Sequence, residues 1–131
     1  DDPGGTPVNK KMTISQLFKN IPTTLAIDNI TTHTTAATDL ASSFASAIDG
    51  AAWGAHVSFT LDNGTHTGQL KTIYAKTEPA SSYEARISVT NWGYSSVSSN
   101  QIVLNSQGDC AICMWDGSKW YVISSTGAVL T

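Results

Sequence analysis

From residue 56 onward the chain alternates apolar and polar positions with the two-residue period of half-buried strands. In the segment 56–61, Val57, Phe59 and Leu61 share one face. In 70–76, Leu70, Thr72, Tyr74 and Lys76 lie on one face, with Ile73 and Ala75 opposite. In 84–89, Ala85, Ile87 and Val89 point one way and Glu84, Arg86 and Ser88 the other. Segments 101–105, 110–115 and 119–124 continue the pattern. Between them stand Asp62-Asn63-Gly64, the bend Trp92-Gly93-Tyr94, and Asp116-Gly117-Ser118. The last is a compact hairpin connection built on an Asp-Gly signal, and it lets Trp115 and Trp120 pack across two strands. Turn signals every ten residues or so predict an all-β fold: an antiparallel β-sandwich, a jelly roll or a small barrel.

The first half of the chain is less regular. Residues 1–12 (DDPGGTPVNKKM) hold two of the four prolines and two of the ten glycines, so they predict an extended arm rather than a helix or central strand. Thr13 and Gln16 have capping-box spacing, and Ile14, Leu17 and Phe18 share a helical face, which predicts a short helix ended by Pro22. Leu40, Phe44 and Ile48 recur every four residues, a spacing that suits a helical stripe and a strand face equally. The run Thr31–Thr38 reads as a loop or an edge strand. The chain therefore divides into an N-terminal arm with its short helical segment, 1–24, and an all-β domain, 25–131.

Composition sharpens this picture. At 131 residues, 40 % of them hydrophobic, the chain is long enough for one core without a metal or disulfide staple. Charged residues make up only 13 %, so polarity rests on Ser and Thr, and β-branched Thr favours sheet. Seven basic against ten acidic side chains give a net charge of -3, with no Lys/Arg cluster to hold phosphates; this argues against a nucleic-acid partner. No segment approaches the roughly 20 apolar residues of a membrane helix, and no membrane partner is expected.

Each candidate chemistry has a plain structural counterpart. Cys110 and Cys113 form a C-x-x-C, yet no second pair accompanies them, and on a strand residues three apart face opposite ways. Two structural thiols are expected, not a metal or redox site. His33, His56 and His66 are scattered, and no G-x-S-x-G elbow is present, so no catalytic residue is assigned. Asp62, Asp109 and Asp116 sit in turns, where aspartate side chains hold backbone N–H groups. Trp53, Trp92, Trp115 and Trp120 can plug a small core, form a subunit interface or offer a sugar-stacking platform; Trp92, Trp115 and Trp120 are expected in a core or trimer contact. Asn29-Ile30-Thr31 and Asn63-Gly64-Thr65 fit the glycosylation sequon, which arises easily in a Thr-rich chain. No cofactor is expected.

An ordered set of motifs brings a resemblance into view. Ser58-Phe59-Thr60-Leu61-Asp62-Asn63-Gly64, then Gly68-Gln69-Leu70-Lys71-Thr72-Ile73, resembles a signature of tailed-bacteriophage virion proteins. It is followed in order by Ile102-Val103-Leu104, Gly108-Asp109-Cys110, the run Trp115–Ile123 and Gly127. The family is that of capsid decoration (cement) proteins and related head-fibre domains. The resemblance implies an all-β subunit that forms homotrimers and binds the major capsid protein on the outside of the shell. It implies a virion location, with assembly in the bacterial host cytoplasm, and no enzymatic activity. It also tilts residues 38–48 towards strand. The expected capsid-contact residues are Pro3, Thr6, Pro7, Val8, Lys10, Lys11, Ile14, Leu17 and Phe18. Two alternatives stand beside this reading: a glycan-binding module of a phage head or tail fibre that uses the aromatic residues, and a small hydrolase with a histidine beside a carboxylate.

Overall fold

A computed structural model describes residues 30–37, 39–95 and 99–131. The expected arm, the 13–20 helical segment, the boundary at residue 24 and all nine expected capsid-contact residues lie outside the described residues. Within them the chain forms nine strands and no helix: β1 Ile30–His33, β2 Ala45–Ile48, β3 Val57–Leu61, β4 Leu70–Ala75, β5 Ala85–Val89, β6 Gln101–Leu104, β7 Cys110–Trp115, β8 Trp120–Thr126 and β9 Val129–Leu130. The ambiguous stretch around Phe44 is a turn leading into β2, so its end is strand, not helix. The Thr-rich run contributes β1, which lies on a sheet edge.

Two open sheets face each other, with strand orders β1-β2-β4-β7-β8 and β3-β5-β6-β9. The sandwich is therefore not purely antiparallel, and it is not closed into a barrel. Three pairs are parallel: β1–β2, β2–β4 and β3–β5. The reason is the path of the chain. Each strand from β1 to β5 crosses to the opposite sheet before the next is laid down, and an Ala37–Phe59 bridge fills the crossing between β1 and β2. The chain thus coils, and strands one full turn apart point the same way. Alternation identifies a strand's buried face but carries no information about its neighbour's direction. After β5 the chain reverses, and β6, β7, β8 and β9 all pair antiparallel.

The core lies between the sheets. Phe59, Leu61, Ile87 and Val89 of the smaller sheet meet Ile48, Ile73, Ala111 and Cys113 of the larger one. The inward positions of β3 and β5 are those that alternation predicts. Removing a large apolar side chain from water here is worth about 1.5–3 kcal/mol. Trp120, fully buried, also donates its indole N–H to the Asp62 carbonyl at 2.7 Å and so ties β8 to the turn after β3.

Candidate functional site

One end of the interior holds a polar cluster. Ile73 and Ala75 fix which face of β4 is buried, and the same phase turns Lys71 inward, where it is 0 % exposed. Its ammonium donates to the Ser43 carbonyl at 2.8 Å, to Ser43 Oγ at 3.0 Å and to Ser46 Oγ at 2.8 Å. Ser46 Oγ in turn bonds His33 Nε2 at 3.1 Å. Cys113 is its register partner on β7. Burial pulls the Lys71 ammonium down to about 8, only partly opposed by the Asp39 and Cys113 charges. Burial pushes the Cys113 thiol up to about 12. His33 is lowered by burial first and by the Lys71 charge second.

A lysine that loses its proton this easily can serve as a nucleophile. Here all three ammonium donors are used, and no surface of the side chain is open to a substrate. The geometry makes Lys71 a staple that holds the 39–44 turn, together with Gln69 Nε2 on the Ala41 carbonyl at 3.2 Å. This residue is absent from the expected site residues. A signal that could have found it is the alternation phase of β4, since position 71 shares the face of Ile73 and Ala75.

The two other histidines sit apart from this cluster. His56 Nδ1 lies 3.4 Å from Glu84 Oε2, the histidine–carboxylate pair that the hydrolase alternative asks for. The same carboxylate oxygen accepts from Arg86 Nε at 2.9 Å and lies 2.9 Å from its Nη2. Among the described residues no serine or cysteine is hydrogen-bonded to His56, so the pair stands without a nucleophile partner. His66 bonds the neighbouring Thr65 hydroxyl at 2.8 Å.

Two of the three turn aspartates spend their carboxylates on backbone, while Asp62 Oδ1 accepts from the Thr90 hydroxyl at 2.9 Å instead. Asp116 Oδ1 accepts from the N–H groups of Ser118 and Lys119, both at 2.7 Å, and these bonds hold its carboxyl below the usual range. Asp109 Oδ2 accepts from the N–H of Asn105 at 2.9 Å and of Ser106 at 2.8 Å. Among the described residues no three His, Cys, Asp or Glu side chains converge as a metal site. Cys113 is buried and Cys110 half-buried, on opposite faces of β7.

The tryptophans are interior. Trp53, Trp92, Trp115 and Trp120 are 7, 7, 5 and 0 % exposed, and Trp115 and Trp120 stack across the hairpin with ring centroids 5.4 Å apart. None presents a ring face for a sugar. A groove of about 640 Å³ runs between the segments 34–36 and 52–58 and is lined chiefly by threonines, alanines, Trp53 and His56.

Among the described residues, few large apolar side chains are exposed. Ile30, Ile123 and Val129 are 62, 53 and 45 % exposed, each on an edge strand; Leu70 and Met114 follow at 38 and 37 %. The sequence matches no protein-family model and no curated protein.

Proposed function

We propose that this chain is a structural virion subunit: a capsid decoration protein that binds the outside of the major capsid shell as a homotrimer and stabilises it. The observation that carries this reading is where the reactive side chains go. The amine of Lys71 and the thiol of Cys113 are buried in the fold and the carboxylates of Asp109 and Asp116 are bonded to turn backbone, while the most exposed large apolar side chains stand on strand edges. That is a surface suited to lasting contact rather than turnover. The charge-poor, hydroxyl-rich sheet and the ordered motifs from Ser58 to Gly127 support the same reading.

The mechanism is mechanical. A trimer that bridges several shell subunits adds binding free energy that must be lost before a seam between them opens. The Pro- and Gly-rich residues 1–12 are the segment proposed to reach the shell, its ordering cost met by main-chain pairing.

The test is the copy number of this chain in purified particles, by quantitative mass spectrometry against the most abundant shell protein. A ratio approaching one per shell subunit is expected. A few copies per particle instead indicate a fibre module, and absence from particles overturns the virion assignment. A chain lacking residues 1–12 is expected to fold and assemble but to lose shell binding, as read by co-sedimentation. Undiminished co-sedimentation removes the arm from the mechanism.

A further inference from the structure

The coiled path gives the described domain two ends. One end is the β1 edge of the larger sheet, continued by Thr34–Ala37 beside β3. The other is formed by β8 and β9, the opposite edges of the two sheets. Three features set these ends apart from the rest of the surface.

First, the three most exposed large apolar residues are all there: Ile30 on one end, Ile123 and Val129 on the other. Ile123 stands at the register shift opposite Ile112 and Cys113, a bulge that re-aims a side chain away from the ladder. Second, the edge segments carry no charged side chain of their own, although Glu84 and Arg86 line one groove with Val129 and Thr131. Residues 30–37 and 121–131 contain no Asp, Glu, Lys or Arg, although the chain carries a net charge of -3. The β1 and β8 edges of two copies can therefore meet without burying a charge of those strands, which would cost several kcal/mol per ion. Third, among the described residues the edges lack the usual protections. Edge strands are commonly blunted by lysine, proline or a covering segment. Residues 91–93 cover only the start of β8, through Trp120 N–H to the Asn91 carbonyl and Gly93 N–H to the Trp120 carbonyl, both 2.8 Å. Beyond that, the Tyr94 hydroxyl donates to the Val122 carbonyl at 2.6 Å. Among the described residues nothing else pairs with the backbone of Ile123–Thr126 on that side, nor with the free edge of β1.

The directions also agree. β1, β2 and β4 are mutually parallel, β7 opposes β4, and β8 opposes β7, so β1 and β8 run the same way. Copies related by rotation about an axis along the strands keep that direction. The register carried across the larger sheet sets Ile30 level with Ser124 and Thr31 level with Ser125, so such a rotation brings these residues of neighbouring copies side by side.

The geometry points to head-to-tail association of this chain with itself, the β1 end of one copy packing on the β8–β9 end of the next. A contact between two different patches closes into a ring or runs on as a filament. Closure at three copies rests on the trimer reading above; the choice of surfaces does not.

The experiment is light scattering coupled to gel filtration on the full chain. The wild type is expected at three times 13.8 kDa. Ile30→Lys and Ile123→Lys, each at an exposed position, are expected to fall to the mass of a single chain. Leu70→Lys, on an inner strand of the same sheet, is expected to keep the wild-type mass. Mixed in equal amounts, the two edge variants each retain one intact end and should yield a two-chain particle that does not close. A wild type at single-chain mass, either edge variant at the assembled mass, or a mixture that stays single-chain overturns the head-to-tail contact. Masses that climb with concentration keep the contact and remove the ring. This measurement needs no phage particle, so its failure is separable from failure of the copy-number test.

Discussion

Between β1 and β5 each strand finds its sheet neighbour only after the chain has crossed to the other sheet and returned, whereas β7 and β8 meet across the Asp116–Lys119 turn. The antiparallel hairpin is held by chemistry local to its own sequence: the Asp116 carboxylate on two backbone N–H groups, and Trp115 against Trp120. The coil has no turn that fixes its register. It relies on long-range side-chain bonds instead, chief among them the Lys71 ammonium on Ser43 and Ser46. The difference teaches that the parallel half is tied by contacts distant in sequence, here a clamp made by a buried cation bonded to Ser43 and Ser46 with no carboxylate hydrogen-bonded to it.

The largest effect should come where the halves join. Trp120→Ala removes a fully buried indole and the bond to the Asp62 carbonyl, with an expected cost of about 3–5 kcal/mol in urea unfolding. Because the indole links β8 to the turn after β3, hydrogen exchange should speed up in both halves. Loss of protection confined to β7–β8 would show that the halves are energetically independent.

Next comes the clamp. Lys71→Ala leaves the Ser43 carbonyl and two hydroxyls without their donor and opens a void, for an expected loss of about 3 kcal/mol. Lys71→Met keeps most of the volume and removes the buried charge, so it should cost clearly less. Equal losses for the two variants would mean that the charge itself holds the coil.

The clamp also carries a pH signature. The Lys71 ammonium sits near 8 in the folded chain against an ordinary value of 10.5, so between those limits the unfolded chain binds more protons and stability rises with pH. The Cys113 thiol moves the other way, from 9.0 to about 12, so the folded chain holds that proton longer and stability is lost as pH climbs through that window. Unfolding free energy should therefore rise from about pH 8 to 9, hold level while the two effects oppose each other, and fall above about 10.5. In Lys71→Met the rise should vanish and the fall should begin at about pH 9.

The smallest effect belongs to the hairpin turn. Gly117 has φ +105, a conformation that a side chain strains, and an added Cβ would meet Thr67 Oγ1 at 2.8 Å. Gly117→Ala should cost about 1 kcal/mol, with the midpoint of thermal unfolding as the measure. It should leave hydrogen exchange in β1 and β2 unchanged relative to the rest of the domain.

Much of this fold could be read along the chain. The strands from β3 to β8, the inward faces of β3 and β5, the opposed thiols and the turn-bound aspartates all follow from periods of two and from short turn motifs. Those signals act between residues close in sequence. Lys71 shows where such reading stops. Ile73 and Ala75 set its phase, but a charged residue at an inward position reads as an exception until its partners are known, and Ser43 and Ser46 lie more than twenty residues away. The histidine–glutamate pair of His56 and Glu84 was illegible for the same reason.

The amino-acid sequence by itself determined the all-β character, the positions of most strands and the side chains each would bury, because alternation and turn chemistry are local. Only the tertiary structure decided that the first half coils with parallel neighbours, that the tryptophans fill the interior, and that the three most exposed apolar residues stand on edge strands. Those outcomes depend on which strands become neighbours, and strands far apart in the chain are matched by the packing of a shared core rather than by anything written beside them.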